Sequence, residues 1–191
     1  MDITFENKRK ARRGRILLAD PFSNDDYFGR AVVFLCEHNS EGSFGFILNN
    51  FLGIDLHEVA KNFPKFNTRV ALGGPVDTQS IYFIHTLGDK IEGSQYVSDG
   101  IYIGGNYDQV IQLIEEEKVS NKEVRFFLGY SGWTAQQLDE EISNHAWIVV
   151  PVINQLEVMD FSIEQLWERY MKREGKKYDL LSKFPMDFTS N

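Results

Sequence analysis

The only cysteine of the chain, Cys36, lies in the run Phe34-Leu35-Cys36-Glu37-His38-Asn39, so a thiol, a carboxylate and an imidazole fall within three residues. A thiolate activated by an imidazole can act as a covalent nucleophile, provided the two groups touch and a third orients the ring. On a straight strand, Cys36 and His38 share a face with Val32 and Phe34, while Glu37 points the other way. Two strand rises then hold their Cβ atoms roughly 6–7 Å apart, which does not by itself supply the contact. The spacing favours Cys36 as a small buried apolar residue and His38 as a polar group at a hairpin. A metal centre is disfavoured too, because His57, His85 and His145 are scattered and no Cys-x-x-Cys or His-x-x-x-His spacing occurs. Neither a metal nor a cofactor is expected.

Gly129-Tyr130-Ser131-Gly132-Trp133 is the second candidate, placed between the apolar run 124–128 and a helix opening at Thr134. Gly-x-Ser-x-Gly in that context makes the nucleophile elbow of a serine hydrolase. Here Trp133 stands where the last glycine belongs. Only His145 follows as a base, with Asp139 inside a short helix between them, leaving little room for a triad. The expectation is a glycine-rich strand-to-helix turn with Trp133 as an apolar anchor. Gly73-Gly74-Pro75 and Gly104-Gly105 each close an apolar run, but neither extends to a dinucleotide or P-loop signature. The entry Gly104-Gly105-Asn106 could still present backbone N–H groups to an anion.

The elements that must hold these groups alternate between short β-rich runs and capped helical ones. Strands are predicted at 15–20, 31–38, 44–49, 69–72, 81–87, 100–103, 124–128 and 145–152, with a short edge strand at 156–159. Residues 39–43 form a polar hairpin loop with Gly42 available for an unusual backbone angle. Helices are predicted behind four capping boxes: Asp55 with Glu58, Asn106 with Gln109, Thr134 with Gln137, and Ser162 with Gln165. Their apolar stripes, such as Ile163, Leu166, Trp167 and Tyr170, read as core faces.

A chain of 191 residues makes one domain, long enough to bury roughly 70% of its unfolded surface without a disulfide or metal staple. A lone thiol suits a reducing compartment, and no stretch has the length of a signal peptide or membrane helix. A cytoplasmic protein with no membrane partner is expected. The net charge of −8 divides unevenly: residues 1–15 carry +4 and the rest −12. An acidic body repels phosphate backbones, so nucleic-acid contact is expected at most through a basic arm, residues 1–13. Residues 14–174 form the domain and 175–191 a tail.

Taken in order, these motifs resemble one family. Cys36-Glu37-His38-Asn39 precedes a glycine-containing apolar strand ending Ile47-Leu48-Asn49, and Leu72-Gly73-Gly74-Pro75-Val76 and Gly104-Gly105 follow. Gly129-Tyr130-Ser131-Gly132-Trp133 comes last, with Gln137-Leu138 and Glu141-Ile142 behind it. The set resembles the YqgE/AlgH family across residues 14–152, about three quarters of the chain. The resemblance implies a compact domain with a mixed, barrel-like sheet flanked by helices. The family label includes a transcriptional regulator, but its biochemical activity is unassigned and it supplies no catalytic residues. Relatives commonly place a basic residue and a proline where this chain has Asn50 and Phe51, and alanine where it has Ser131. The last difference counts against a serine nucleophile.

The sequence therefore points to a mixed α/β (α+β) single domain that acts as a binding or regulatory protein without turnover. Its partner would be a protein or small molecule met near Cys36, His38, Asn39, Gly73, Gly74, Tyr130 and Trp133. Two alternatives stand beside this: hydrolase or thiol chemistry using Cys36 and His38 or Ser131, and nucleic-acid contact through the arm.

Overall fold

The computed structural model describes residues 7, 9–23 and 25–185. Among the described residues, nine strands build one sheet: β1 (Arg15–Ala19), β2 (Val32–Asn39), β3 (Gly42–Ile47), β4 (Ala71–Leu72), β5 (Val76–His85), β6 (Gln95–Ser98), β7 (Ile101–Ile103), β8 (Val124–Thr134) and β9 (Trp147–Pro151). The order across it is β6-β7-β5-β8-β3-β2-β1-β9, with β4 added alongside β8. The β4–β8 pair is parallel and the others are antiparallel. The expected single mixed α/β domain is the one observed. The sheet does not close into a barrel, since its order begins at β6 and ends at β9.

Both faces of the central strands are covered, which is why β1 reads as the unbroken apolar run Ile16-Leu17-Leu18-Ala19 rather than as an alternation. Ile16, Leu18, Val32, Phe34, Phe46, Ile148 and Val150 face one core. Helices α4 (Gln155–Met159), α5 (Leu166–Arg173) and α6 (Lys176–Ser182) close that core. Trp167 of α5 is buried there, its indole N–H donating to the Ala19 carbonyl at 3.0 Å. Truncating such a ring costs about 3–5 kcal/mol. Leu17, Val33, Leu35 and Val149 face the other way, under Leu138 of α3 (Gln137–Ser143). A third core joins Phe83, Val124 and Phe126 to Val110 and Ile114 of α2 (Tyr107–Glu115), with Leu56 of the short α1 (Leu56–Val59) at its edge.

One buried charge ties these layers. Arg125 of β8 is 1% exposed and donates to the Val158 carbonyl at 2.6 Å and to the Leu48 carbonyl. Its guanidinium lies over Phe51 and Phe127. Burial pulls it down to about 9, so it stays charged at neutral pH.

Several elements differ from the sequence expectation. The run 156–159 is helical, because Asn154 accepts from the Glu157 N–H and starts α4. The β2–β3 hairpin is tighter than expected, with Asn39 paired to Gly42 and two residues between them. β6 was not expected, and β5 begins at Val76 rather than 81. Asn106 does cap α2 through the Gln109 N–H, whereas Asp55 makes no side-chain cap and Ser162 turns back to Asp160. At the ends, Asn7 pairs with the backbone of Trp147 and Val149, and Arg9 with Glu174 at 2.7 Å. The rest of the arm before residue 9 lies outside the described residues.

Candidate functional site

The Cys36 run is organised by a β-bulge. Leu35 pairs with Gly45 and Glu37 with Phe44, so Cys36 is the extra residue on β2. Gly45 permits the close approach, since a Cβ there would overlap the Phe34 carbonyl. The bulge breaks strand alternation. Cys36 turns into the core beside Val32 and Phe34, and His38 lands on the opposite face, paired with Ser43 next to Trp133. Glu37 shares a face with its cross-strand partner Phe44. The expectation that Cys36 and His38 share a face is therefore corrected. Cys36 is 3% exposed, and burial together with the Glu37 charge pushes its thiol well above the ordinary range. That is the opposite of an activated thiol.

His38 instead joins a polar clasp. Its Nδ1 is 2.7 Å from Ser43 Oγ and its Nε2 is 3.7 Å from Asp139 Oδ1. Serine, histidine and aspartate are the parts of a hydrolytic triad, but the arrangement does not work as one. Ser43 is nearly buried in β3, laddered to His38 on one side and Trp133 on the other, which commits the backbone around it. Such a setting offers no pair of free amides for an oxyanion. Asp139 is 63% exposed and beyond hydrogen-bond reach of the ring.

The Ser131 motif is not an elbow. Residues 129–133 continue β8, and the hydroxyl of fully buried Ser131 donates to the Gly73 carbonyl at 2.9 Å. The glycines let the 73–76 segment lie flat on β8. Gly74 has φ +154°, and a Cβ there would overlap the Tyr130 carbonyl. At Gly104-Gly105-Asn106 the Gly104 and Asn106 N–H groups are already donated, to Phe83 and Glu92. The Gly104 carbonyl accepts from Nε2 of buried His85, whose Nδ1 accepts from the Leu87 N–H.

What the hairpin and β8 do create is a cleft of about 750 Å³ between β3, β5 and β8. Its walls are Phe44, Phe46, Tyr82 and Tyr130. Tyr130 meets Phe44 edge to face at 6.2 Å and Tyr82 at 5.5 Å between ring centres. Tyr82 donates to Asp77 at 2.7 Å, and burial with that carboxylate pushes its phenol up to about 12. Glu37, Asn39 and Glu41 form the rim, and Trp133 and Gln137 the far end. Trp133 is fixed from behind: its indole N–H and that of Trp147 both donate to Glu141 Oε2 at 2.8 Å. Glu141 Oε1 accepts from Gln137 at 3.0 Å.

Of the positions singled out in the sequence, Asn39, Tyr130 and Trp133 line this cleft. Gly74 supports it from behind by bringing Val76 opposite Tyr130. Cys36 faces the core, and His38 opens on a neighbouring polar groove with Arg12 and Arg13. Phe44, Phe46, Tyr82, Glu37 and Glu41 were missed as site residues. The Phe44-Gly45-Phe46 spacing, two rings on one strand face, was the available signal. Among the described residues no group of three or more His, Cys, Asp or Glu could hold a metal ion, and no helix is long and apolar enough to cross a membrane.

Comparison with known proteins agrees with this fold. The family model described as AlgH-like matches residues 16–179. A UPF0301 protein of Bacteroides thetaiotaomicron is 37% identical over 94% of this chain and 91% of its own length. One from Chlorobium chlorochromatii is 39% identical over 92% of this chain and 93% of its own. The solution structure of the AlgH protein from Pseudomonas aeruginosa superposes with a TM-score of 0.71 at 27% identity, covering 90% of this chain and 93% of that one. A crystal structure from Corynebacterium diphtheriae gives a TM-score of 0.75 at 22% identity over 94% and 95% of the two chains, a likeness of fold. With the family model spanning nearly the whole sheet and its helices, the chain belongs to the AlgH-like family.

Proposed function

We propose that this is a non-catalytic binding protein whose ligand seats in the cleft walled by Phe44, Phe46, Tyr82 and Tyr130. The observation that carries the reading is a large aromatic concavity with no competent nucleophile among its described lining residues. Binding sites are typically concave and mostly apolar, with a few polar groups at fixed positions, and Glu37, Asn39 and Gln137 supply those here. Both reactive candidates are committed elsewhere: Cys36 to the core and Ser131 to the Gly73 carbonyl. A cytoplasmic setting and a regulatory role fit a protein that reports occupancy of this cleft. The acidic body argues against direct contact with a phosphate backbone.

A thermal-shift screen of a small-molecule library against the wild-type chain and Tyr130→Leu tests the proposal. Stabilising compounds should lose most of their effect on the variant. Compounds that stabilise both proteins equally would place binding elsewhere, and turnover of any hit would overturn the non-catalytic reading.

A further inference from the structure

Resting on that cleft reading, we propose that the ligand is an organic cation, an ammonium group carried on a small apolar body. Three partly exposed rings border the space at steep angles, with Phe44–Tyr130 at 80° and Tyr82–Tyr130 at 72°, so ring faces and edges meet as the corners of a box, and buried Phe46 lies beneath them. A cation within about 6 Å of a ring centre is held by the negative face of the π system. Cations of the protein already occupy such places elsewhere: Arg69 lies over Phe51, Arg30 over Trp167 and Arg173 over Tyr170. Among the described residues, none lies over a ring of the cleft.

The charges agree. Glu37 and Glu41 stand at the rim, and Asp77 sits beside Tyr82. No lysine or arginine among the described residues lines the cleft. Among the described residues, neither Glu37 nor Glu41 forms an ion pair, and the Glu37 carboxylate meets only the Asn39 amide, at 2.7 Å. Arg12 and Arg13 lie in the adjoining groove across the Glu37–Asn39 ridge. An anion would face the Glu37 and Glu41 carboxylates without a compensating charge from the described lining. A neutral apolar ligand would use the walls and leave the rim unanswered. A cation answers both.

The test uses choline and its uncharged tert-butyl isostere, in which carbon replaces nitrogen, titrated into the full chain and followed by aromatic NMR signals. Choline should bind about tenfold more tightly than the isostere. Glu37→Gln and Tyr130→Leu should each weaken choline about fivefold or more, with the isostere changed by less than about twofold in Glu37→Gln. A peptide bearing trimethyllysine separates the sources: tighter binding than choline assigns the cation to a protein side chain, and weaker binding assigns it to a free small molecule. Equal affinity for choline and the isostere in the cleft would overturn the cation while leaving the binding cleft intact. No choline response at saturating concentration, in a protein whose cleft takes up hits from the thermal screen, would also overturn it.

Discussion

Replacing Glu141 by leucine removes the acceptor shared by two tryptophans and loosens α3 from the sheet. Oε2 receives the indole N–H groups of Trp133 and Trp147 at 2.8 Å each, and both rings are more than nine-tenths buried. Leaving one buried donor unpaired costs roughly 1–3 kcal/mol. Two orphans set an upper range near 6, but Glu141 is only half-buried and water can reach part of the space. About 3 kcal/mol is the expected loss. For a domain of this size that lowers Tm by about 6–12 °C. Urea unfolding followed by tryptophan emission measures it, with an unchanged slope on denaturant showing that the same surface unfolds. Glu141→Gln keeps one acceptor oxygen and should lose about half as much. A loss below about 0.5 kcal/mol in the leucine variant would show that the clasp is incidental, and the account of how Trp133 is positioned would fail.

Four further outcomes follow from the same geometry. Cys36 in the folded protein should react with iodoacetamide about a hundredfold more slowly than in urea at pH 8.5, and equal rates would contradict its burial. Because its thiol is raised, the unfolded chain loses that proton first, so stability should fall as pH rises past the ordinary thiol value of 9.0, and Cys36→Ala should flatten that slope. His85 is held low by burial, so the unfolded chain takes up the proton first; stability should drop as pH falls below 6.5, and less so in His85→Phe. Gly74→Ala should cost about 3 kcal/mol or more through overlap with Tyr130, whereas Gly53→Ala, which meets open space, should stay within about 0.5 kcal/mol.

Runs buried on both faces were readable because they are continuous in the chain: 16–19, 32–35 and 147–150 announce themselves without their neighbours. Asn106 was readable as a cap for the same local reason. The bulge at Cys36 was not, because register belongs to two strands, and the permissive residue, Gly45, lies on the partner. Residues 129–133 look like a turn by composition, yet after a left-handed Gly129 the strands β3 and β5 hold 130–133 in the sheet on either side. The run 156–159 is too short for its apolar pattern to separate strand from helix, and the Asn154 cap decided it. Tyr130 and Trp133 were reached from their motif, while their partners Phe44 and Tyr82 arrive from other strands. The cleft exists only once β3, β5 and β8 are side by side.

Mapping bound ligands by two-dimensional aromatic NMR on the full chain tests the cleft most directly. Compounds from the thermal screen should shift the ring signals of Phe44, Tyr82 and Tyr130 first and most strongly. Shifts centred instead on the Arg12–Arg13 groove, or on the covered faces of α2 and α3, would contradict the account.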